Sequence, residues 1–196
     1  MEQDSRFTNN LYRKRLKSQV TEEYAKVVYT FTVQIIHARR LFMRYRILKW
    51  AMLILSAITA SAYWIEVVAT TRWLVAFGGL LSVALVVLSA YFKDYDFSAI
   101  HTRHLKTANA LWLIRERYLS LLTDFDTMDL NQAVEQRDLL LKETSAIYDD
   151  APLTDGKSYA VAQKALKEDE AQFFTQSELN QMLPEALRQP IPDVRK

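Results

Sequence analysis

Residues Trp73 to Phe92 read WLVAFGGLLSVALVVLSAYF, twenty in a row without a charge. At about 1.5 Å per residue a helix of that length covers roughly 30 Å, the hydrocarbon thickness of a bilayer. Immediately upstream, Trp50 to Ile65 supplies sixteen more uncharged residues, extended by Ile47-Leu48 before Lys49 and by Val67 to Ala69 after Glu66. Only Thr70-Thr71-Arg72 separates the two runs, a connection so short that the helices must be antiparallel. Two spans are therefore expected, over 47–69 and 73–92. Trp50, Trp64, Trp73, Tyr91 and Phe92 fall near their ends, where amphipathic rings favour the membrane interface.

Charge divides the chain around this hairpin. Residues 1–49 carry a net +7, residues 50–92 net zero and residues 93–196 net −5, giving the overall +2. Arg39, Arg40, Arg44, Arg46 and Lys49 precede the first span and Lys93, Arg103 and Lys106 follow the second, while the turn offers Arg72 alone. Positive-inside counting puts both termini in the cytoplasm. The charged residues ahead of the first apolar run also argue against a cleavable signal peptide. Half the residues are hydrophobic and Gly and Pro are few, so disordered and collagen-like classes are excluded. Zero Cys removes disulfide scaffolds, iron–sulfur clusters, cysteine-ligated zinc and cysteine nucleophiles.

The expected fold is all-α: a transmembrane hairpin whose long first helix extends into a cytosolic helical bundle. Its three parts are a basic N-terminal segment with the cytosolic half of the first helix (1–46), the hairpin (47–92) and a C-terminal bundle (93–196). Residues 1–20 read as a basic tail or frayed helix start, open to contact with anionic lipid. Thr21, followed by Glu22 and Glu23, has the chemistry of an N-cap. No Pro or Gly then interrupts the chain before Gly78. A bundle helix is expected from a Ser98 cap to about Asp124, with Leu105, Ala108, Leu111, Trp112, Leu119, Leu122 and Phe125 on its apolar face. Arg115 on that face calls for a carboxylate partner inside the bundle. Further helices are expected over about Asp129–Tyr148, stopped by Asp149-Asp150-Ala151-Pro152, over about Asp155–Asp169, and from a Thr175-x-x-Glu178 capping box to about Leu187. The bundle core is expected around Leu111, Trp112, Leu122, Leu140, Leu141 and Tyr148.

Catalytic and cofactor chemistry finds no support. The glycines, Gly78, Gly79 and Gly156, form no phosphate loop, and Ser98 lacks a nucleophile-elbow context. His101-x-x-His104 could set two imidazoles on one helix face, but no carboxylate motif accompanies them; solvated interfacial histidines are the better reading. The basic segment lacks a nucleic-acid-binding motif, and its charges already have a topological use. The chain is expected to be no enzyme, to need no cofactor or metal and not to bind nucleic acid directly.

One pattern is more informative. Tyr24, Val28, Phe31, Ile35, Ala38, Phe42 and Tyr45 recur at alternating spacings of four and three, and the register continues as Lys49, Met52, Ser56, Thr59, Tyr63, Glu66 and Thr70. The line is apolar where water surrounds the helix and largely polar where lipid does, so both halves should face inward. Two readings stay open: a seam against the chain's own helices, or an oligomer seam that borders a central pathway. Gly78, Ser82 and Ser89 offer the second span a small-residue line suited to close packing.

The whole resembles the SLATT family, two-transmembrane-helix effectors of bacterial conflict systems associated with SMODS nucleotidyltransferases, SLOG sensors or reverse transcriptases. The resemblance runs from about Thr21 to Arg188. It rests on the long helix entering a hairpin with a tiny turn, then on Ala108-x-x-Leu111-Trp112-x-x-Arg115-x-x-Tyr118, Leu121-Leu122-x-Asp124 and Ile147-Tyr148-Asp149-Asp150-Ala151-Pro152-Leu153-Thr154. Tyr159-x-x-Ala162, Glu178-Leu179 and Leu183-Pro184-x-x-Leu187-Arg188 complete it. It implies a membrane effector that oligomerises to form a pore or perturb the membrane, in abortive defence against phage. Membrane lipid, further copies of the chain and a cytosolic signal or neighbouring partner would be its partners. A different class is a non-conducting scaffold that tethers a cytosolic complex through its bundle.

Overall fold

The computed structural model describes residues 2–68, 72–94, 96–169, 174–182 and 184. Among these the chain is all-α, with no strand. Helix α1 runs unbroken over Glu2–Val68, 67 residues and so about 100 Å. Helix α2 spans Arg72–Asp94, α3 Phe97–Asp124, α4 Leu130–Asp150, α5 Gly156–Lys167 and α6 Gln176–Met182. Residue 45 near the middle of α1 meets residue 92 at the end of α2, with the Tyr45 and Phe92 ring centroids 5.8 Å apart. The two helices are therefore antiparallel. The Thr70 turn lies outside the described residues.

The length of α1 corrects the reading of its start. Residues 2–20 are helical and no loose tail: Leu16 and Val20 are buried in the main core with Leu111, Ile114, Tyr118, Leu121, Phe125, Ala133 and Leu140. Arg13 donates to the carbonyls of Phe125 (2.8 Å) and Met128 (2.9 Å), and Lys17 pairs with Asp126 at 2.7 Å. Arg13 thus satisfies carbonyls just past the C-terminal end of α3, and both cations sit where the helix dipole favours positive charge. Thr21 is accordingly no cap; its hydroxyl donates back to the Lys17 carbonyl at 2.8 Å inside a continuing helix.

The later helices begin on aspartates. Asp96 caps α3 by accepting from the Ala99 amide at 2.9 Å, two residues before the expected Ser98. Asp129 caps α4 through the Asn131 amide at 3.0 Å, and Asp155 caps α5 through the Ser158 amide at 2.7 Å. The Thr175–Glu178 capping box forms, with the Thr175 amide donating to Glu178 at 2.7 Å and lowering that carboxyl's pKa. The expected end of this last helix, at Leu187, lies outside the described residues.

Packing is organised by α1 lying along α3, with α4 and α5 against them. The inward residues of α1 are Val20, Tyr24, Val27, Phe31, Gln34, Ala38, Leu41, Tyr45, Leu48, Met52, Leu55 and Thr59, again at alternating four and three. On α3 the buried line runs through His104, Ala108, Leu111, Tyr118 and Phe125, flanked by Thr107, Ile114 and Leu121. Trp112 is corrected by this geometry: it stands 49% exposed, beside the buried Leu111. Tyr148 is also outside the core, its hydroxyl reaching Thr30 at 3.4 Å. Among the described residues Arg115 has only its neighbour Glu116 as a carboxylate, at 3.3 Å, and its Nε has no acceptor. The interhelical ion pair joins Arg117 to Glu143 instead.

Candidate functional site: an apolar hairpin above a polar junction

Above residue 46 the character of the surface changes. Ile47, Trp50, Leu53, Ile54 and Ile58 of α1 are exposed, as are Phe77, Leu80, Val83, Val86 and Val87 of α2. Trp73 at the head of α2 is 84% exposed. A contiguous apolar surface of this size on a soluble monomer would be an aggregation site; in a bilayer it is the lipid-facing side of a hairpin. Among the described residues one helical stretch, beginning at Ala76, is long and apolar enough to cross a membrane, and none of its apolar window is buried.

The hairpin's own interface is narrow. Gly78, Leu81, Leu85, Leu88 and Phe92 are the half-buried residues of α2, spaced three and four, and they face the Leu48, Met52, Leu55 and Thr59 side of α1. Ser82 and Ser89 point outward, and their hydroxyls donate to the Gly78 (3.0 Å) and Leu85 (2.7 Å) carbonyls of their own helix. Thr59 does the same to Leu55 at 2.8 Å. Among the described residues, a Cβ added at Gly78 or Gly79 would touch nothing within 4 Å, so no close packing on that line is formed there.

The two sequence-predicted halves of the seam land unevenly. Tyr24, Phe31, Ala38, Tyr45, Met52 and Thr59 lie on the inward line, Ala38 fully buried. Val28 and Ile35 are half-buried beside it, while Phe42, Lys49 and Ser56 are exposed. Each has an inward neighbour one residue earlier: Val27, Gln34, Leu41, Leu48 and Leu55. Tyr63 and Glu66 belong to α1, but their side chains, like Thr70, lie outside what is described.

Beneath the hairpin, α1, α3 and α5 meet at a polar junction that sequence reasoning missed. His104, read as solvated, is 1% exposed. Its Nδ1 donates to Gln34 Oε1 across 2.5 Å, and Gln34 Nε2 donates to the Pro152 carbonyl at 3.2 Å. A carbonyl can only accept, which fixes the Gln34 amide orientation and puts the His104 proton on Nδ1. The His37 ring lies against His104, centroids 4.4 Å apart, and its Nδ1 is 3.1 Å from Ser158 Oγ and 3.4 Å from Asp155 Oδ1. Arg40 donates to Asp155 (2.7 Å) and to Ser158 (2.8 Å). His101 packs its ring on Phe42 at 5.4 Å.

The electrostatics follow from this placement. Burial, with His37, Arg103 and His101 nearby, pushes His104 down to about 4, so the ring is neutral at physiological pH. Hydrogen bonds from Ser158 and the charge of Arg40 hold the Asp155 carboxyl well below the usual carboxylate range. Two imidazole rings, an amide, a hydroxyl and an Arg–Asp pair join three helices. Among the described residues no group of three or more His, Asp or Glu is arranged to hold a metal. The signal available in the sequence was Gln34, a polar residue on the apolar stripe of α1, one heptad-like step from Ala38.

A search of curated proteins and of solved structures finds no match. A protein-family model does match, over residues 16–178. That range takes in α1 from the buried Leu16 onward, the hairpin, the polar junction and the bundle to the α6 capping box. The chain belongs to the SMODS and SLOG-associating 2TM effector domain family, family 4.

Proposed function

We propose that this membrane effector acts by assembling several copies through its hairpin into a pore, or a perturbation, of the bacterial inner membrane. The trigger is a cytosolic signal or partner, and the outcome is abortive infection. Both termini are cytoplasmic and the 70–72 turn is outside. The observation that carries the reading is the exposed apolar surface shared by the upper part of α1 and by α2, set directly above a closed helical bundle. A bilayer covers such a surface, and helix-to-helix contact between copies can use the same faces.

In this assembly Lys49, Met52, Ser56, Thr59, Tyr63, Glu66 and Thr70 border the pathway. Of the cytosolic line, the exposed Phe42, flanked by the half-buried Val28 and Ile35, carries the contact between copies, while Tyr24, Phe31, Ala38 and Tyr45 pack within the chain. Lys49, Ser56 and Phe42 are exposed on the single chain, which is what a contact or pathway formed only on assembly requires. Inducible expression in bacteria loaded with a potential-sensitive dye tests the proposal. Depolarisation and growth arrest that disappear when 47–92 is replaced by an unrelated hairpin are expected. Full membrane potential at high expression, with the trigger supplied, refutes the pore and leaves a tethering role.

A further inference from the structure

At the level where α1 enters the hairpin, a cleft of about 310 Å³ opens between α1 and the α2–α3 junction, lined by Leu41, Arg44, Ile47, Leu48, Tyr91 and Phe97. Its floor is apolar: Leu41 and Phe97 are buried, and Phe97 sits 6.0 Å, centroid to centroid, from both Tyr91 and Phe92. Its one charged residue is Arg44, which makes no ion pair or hydrogen bond among the described residues, unlike Arg13, Arg40 and Arg117. The volume is at the lower end of small-molecule sites, and the mix of apolar walls with one oriented polar group is their usual chemistry.

Location selects the ligand class. The cleft begins at the lower edge of the exposed apolar surface, with Ile47 part of both. No acidic residue occurs on α1 between Glu23 and Glu66, whereas Arg39, Arg40, Arg44, Arg46 and Lys49 crowd this boundary. An amphiphile lying here would place hydrocarbon against Phe97, Leu48 and Ile47 and a phosphate against the Arg44 guanidinium. We propose that this cleft is a binding site for one anionic phospholipid of the cytoplasmic leaflet, its phosphate held by Arg44 and an acyl chain seated between α1 and the α2–α3 junction. The bound lipid would join the hairpin to the bundle at the one level where α1, α2 and α3 all meet. The proposal rests on the hairpin crossing the membrane.

Native mass spectrometry of the full chain, released from vesicles of equal phosphatidylglycerol and phosphatidylcholine, reads the site directly. The parent should retain one phosphatidylglycerol per chain in preference to phosphatidylcholine. Arg44→Gln should reduce that preference about fivefold, the factor corresponding to roughly 1 kcal/mol per basic residue at an anionic surface. Arg46→Gln, two residues along the same boundary, should change it little. Ile47→Trp, which fills the cleft from an exposed position, should lose both lipids. Equal losses in Arg44→Gln and Arg46→Gln would mean diffuse attraction and overturn the site. Displacement of the lipid by excess water-soluble glycerol phosphate would overturn the lipid in favour of a free phosphate ligand. No retained lipid together with a disulfide-linked dimer of Ile47→Cys would assign the cleft to a second copy and also overturn it. Partition of the parent into the membrane fraction is scored separately: a soluble parent refutes the hairpin reading, a membrane-bound parent without lipid refutes the cleft alone.

Discussion

His104 donates its only ring proton to Gln34, 70 residues earlier in the chain, across 2.5 Å in the interior of the α1–α3 contact. Protonating the ring would add a charge beside His37, His101 and Arg103, with Arg40 and Asp155 held one layer away. Folding lowers this pKa from 6.5 to about 4, so the unfolded chain binds the extra proton between those values. The stability His104 contributes is complete above about pH 6.5 and is lost as pH falls toward 4, by about 3 kcal/mol at most. Thermal melts of the detergent-solubilised chain from pH 7 to pH 4 should show this slope, and His104→Gln should flatten it. An unchanged slope in the variant would place the titration elsewhere.

Asp155 combines two roles that separate by substitution. It caps α5 through the Ser158 amide and accepts from Arg40. Asp155→Asn keeps a cap and loses the charge; Asp155→Ala loses both, and the cap alone is worth about 0.5–2 kcal/mol. Hydrogen exchange should show α5 amides deprotected in Asp155→Ala, less so in Asp155→Asn, with α3 and α4 protected in both. Uniform loss of protection across all helices would contradict a local latch.

Trp112 and Leu111 are adjacent and opposite in environment. Leu111→Ala should destabilise by about 2–5 kcal/mol, as buried leucines do, whereas Trp112→Ala should cost under about 1 kcal/mol. Comparable shifts in melting temperature would show that Trp112 is covered in the working assembly.

Leu41 and Phe42 make the same comparison on α1, at 6% and 44% exposure. Leu41→Asp buries an unpaired carboxylate and should prevent folding of the single chain. Phe42→Asp should leave the fold intact and abolish the higher species that cross-linking of the parent in membranes is expected to give. Survival of those species in Phe42→Asp would take the cytosolic contact away from that line.

Glu66 is tested by charge alone. Glu66→Gln should alter ion conductance or cation preference at unchanged expression, and Glu66→Lys should alter it further in the same direction. Parental ion flux in both variants would remove Glu66 from any pathway.

The sequence makes the hairpin, the all-helical bundle and the aspartate-bounded later helices legible, because long uncharged runs and helix stops are local signals. The seam is legible only to within one residue. At 27/28, 41/42 and 48/49 the chain offers two neighbouring side chains able to pack, and at 34/35 the apolar Ile35 is the more inviting choice. The fold instead turns Gln34 inward, since His104 and the Pro152 carbonyl satisfy its amide 70 and 118 residues away in sequence. Apolar periodicity cannot register a polar residue whose partners are that distant. Leu16 and Val20 were hidden for a related reason: the basic residues around them read as a tail until Phe125, Asp126 and Met128 supply their acceptors.

The unbroken α1 has a mechanical consequence. Its inward line and the line one residue later share Tyr24, Phe31, Ala38, Tyr45, Met52 and Thr59, and their centres lie roughly 50° apart around the helix, half of one residue's step. Exchanging one for the other is a turn of the helix about its own axis, and it would break the Gln34–His104 and Arg40–Asp155 bonds that hold the present face inward. Because hydrogen bonding continues without Pro or Gly from Glu2 to Val68, no kink uncouples the cytosolic half of the helix from its upper half. A turn imposed among Gln34, His37 and Arg40 would pass along the helix to Leu55 and Ser56, where it trades an aliphatic face for a hydroxyl one.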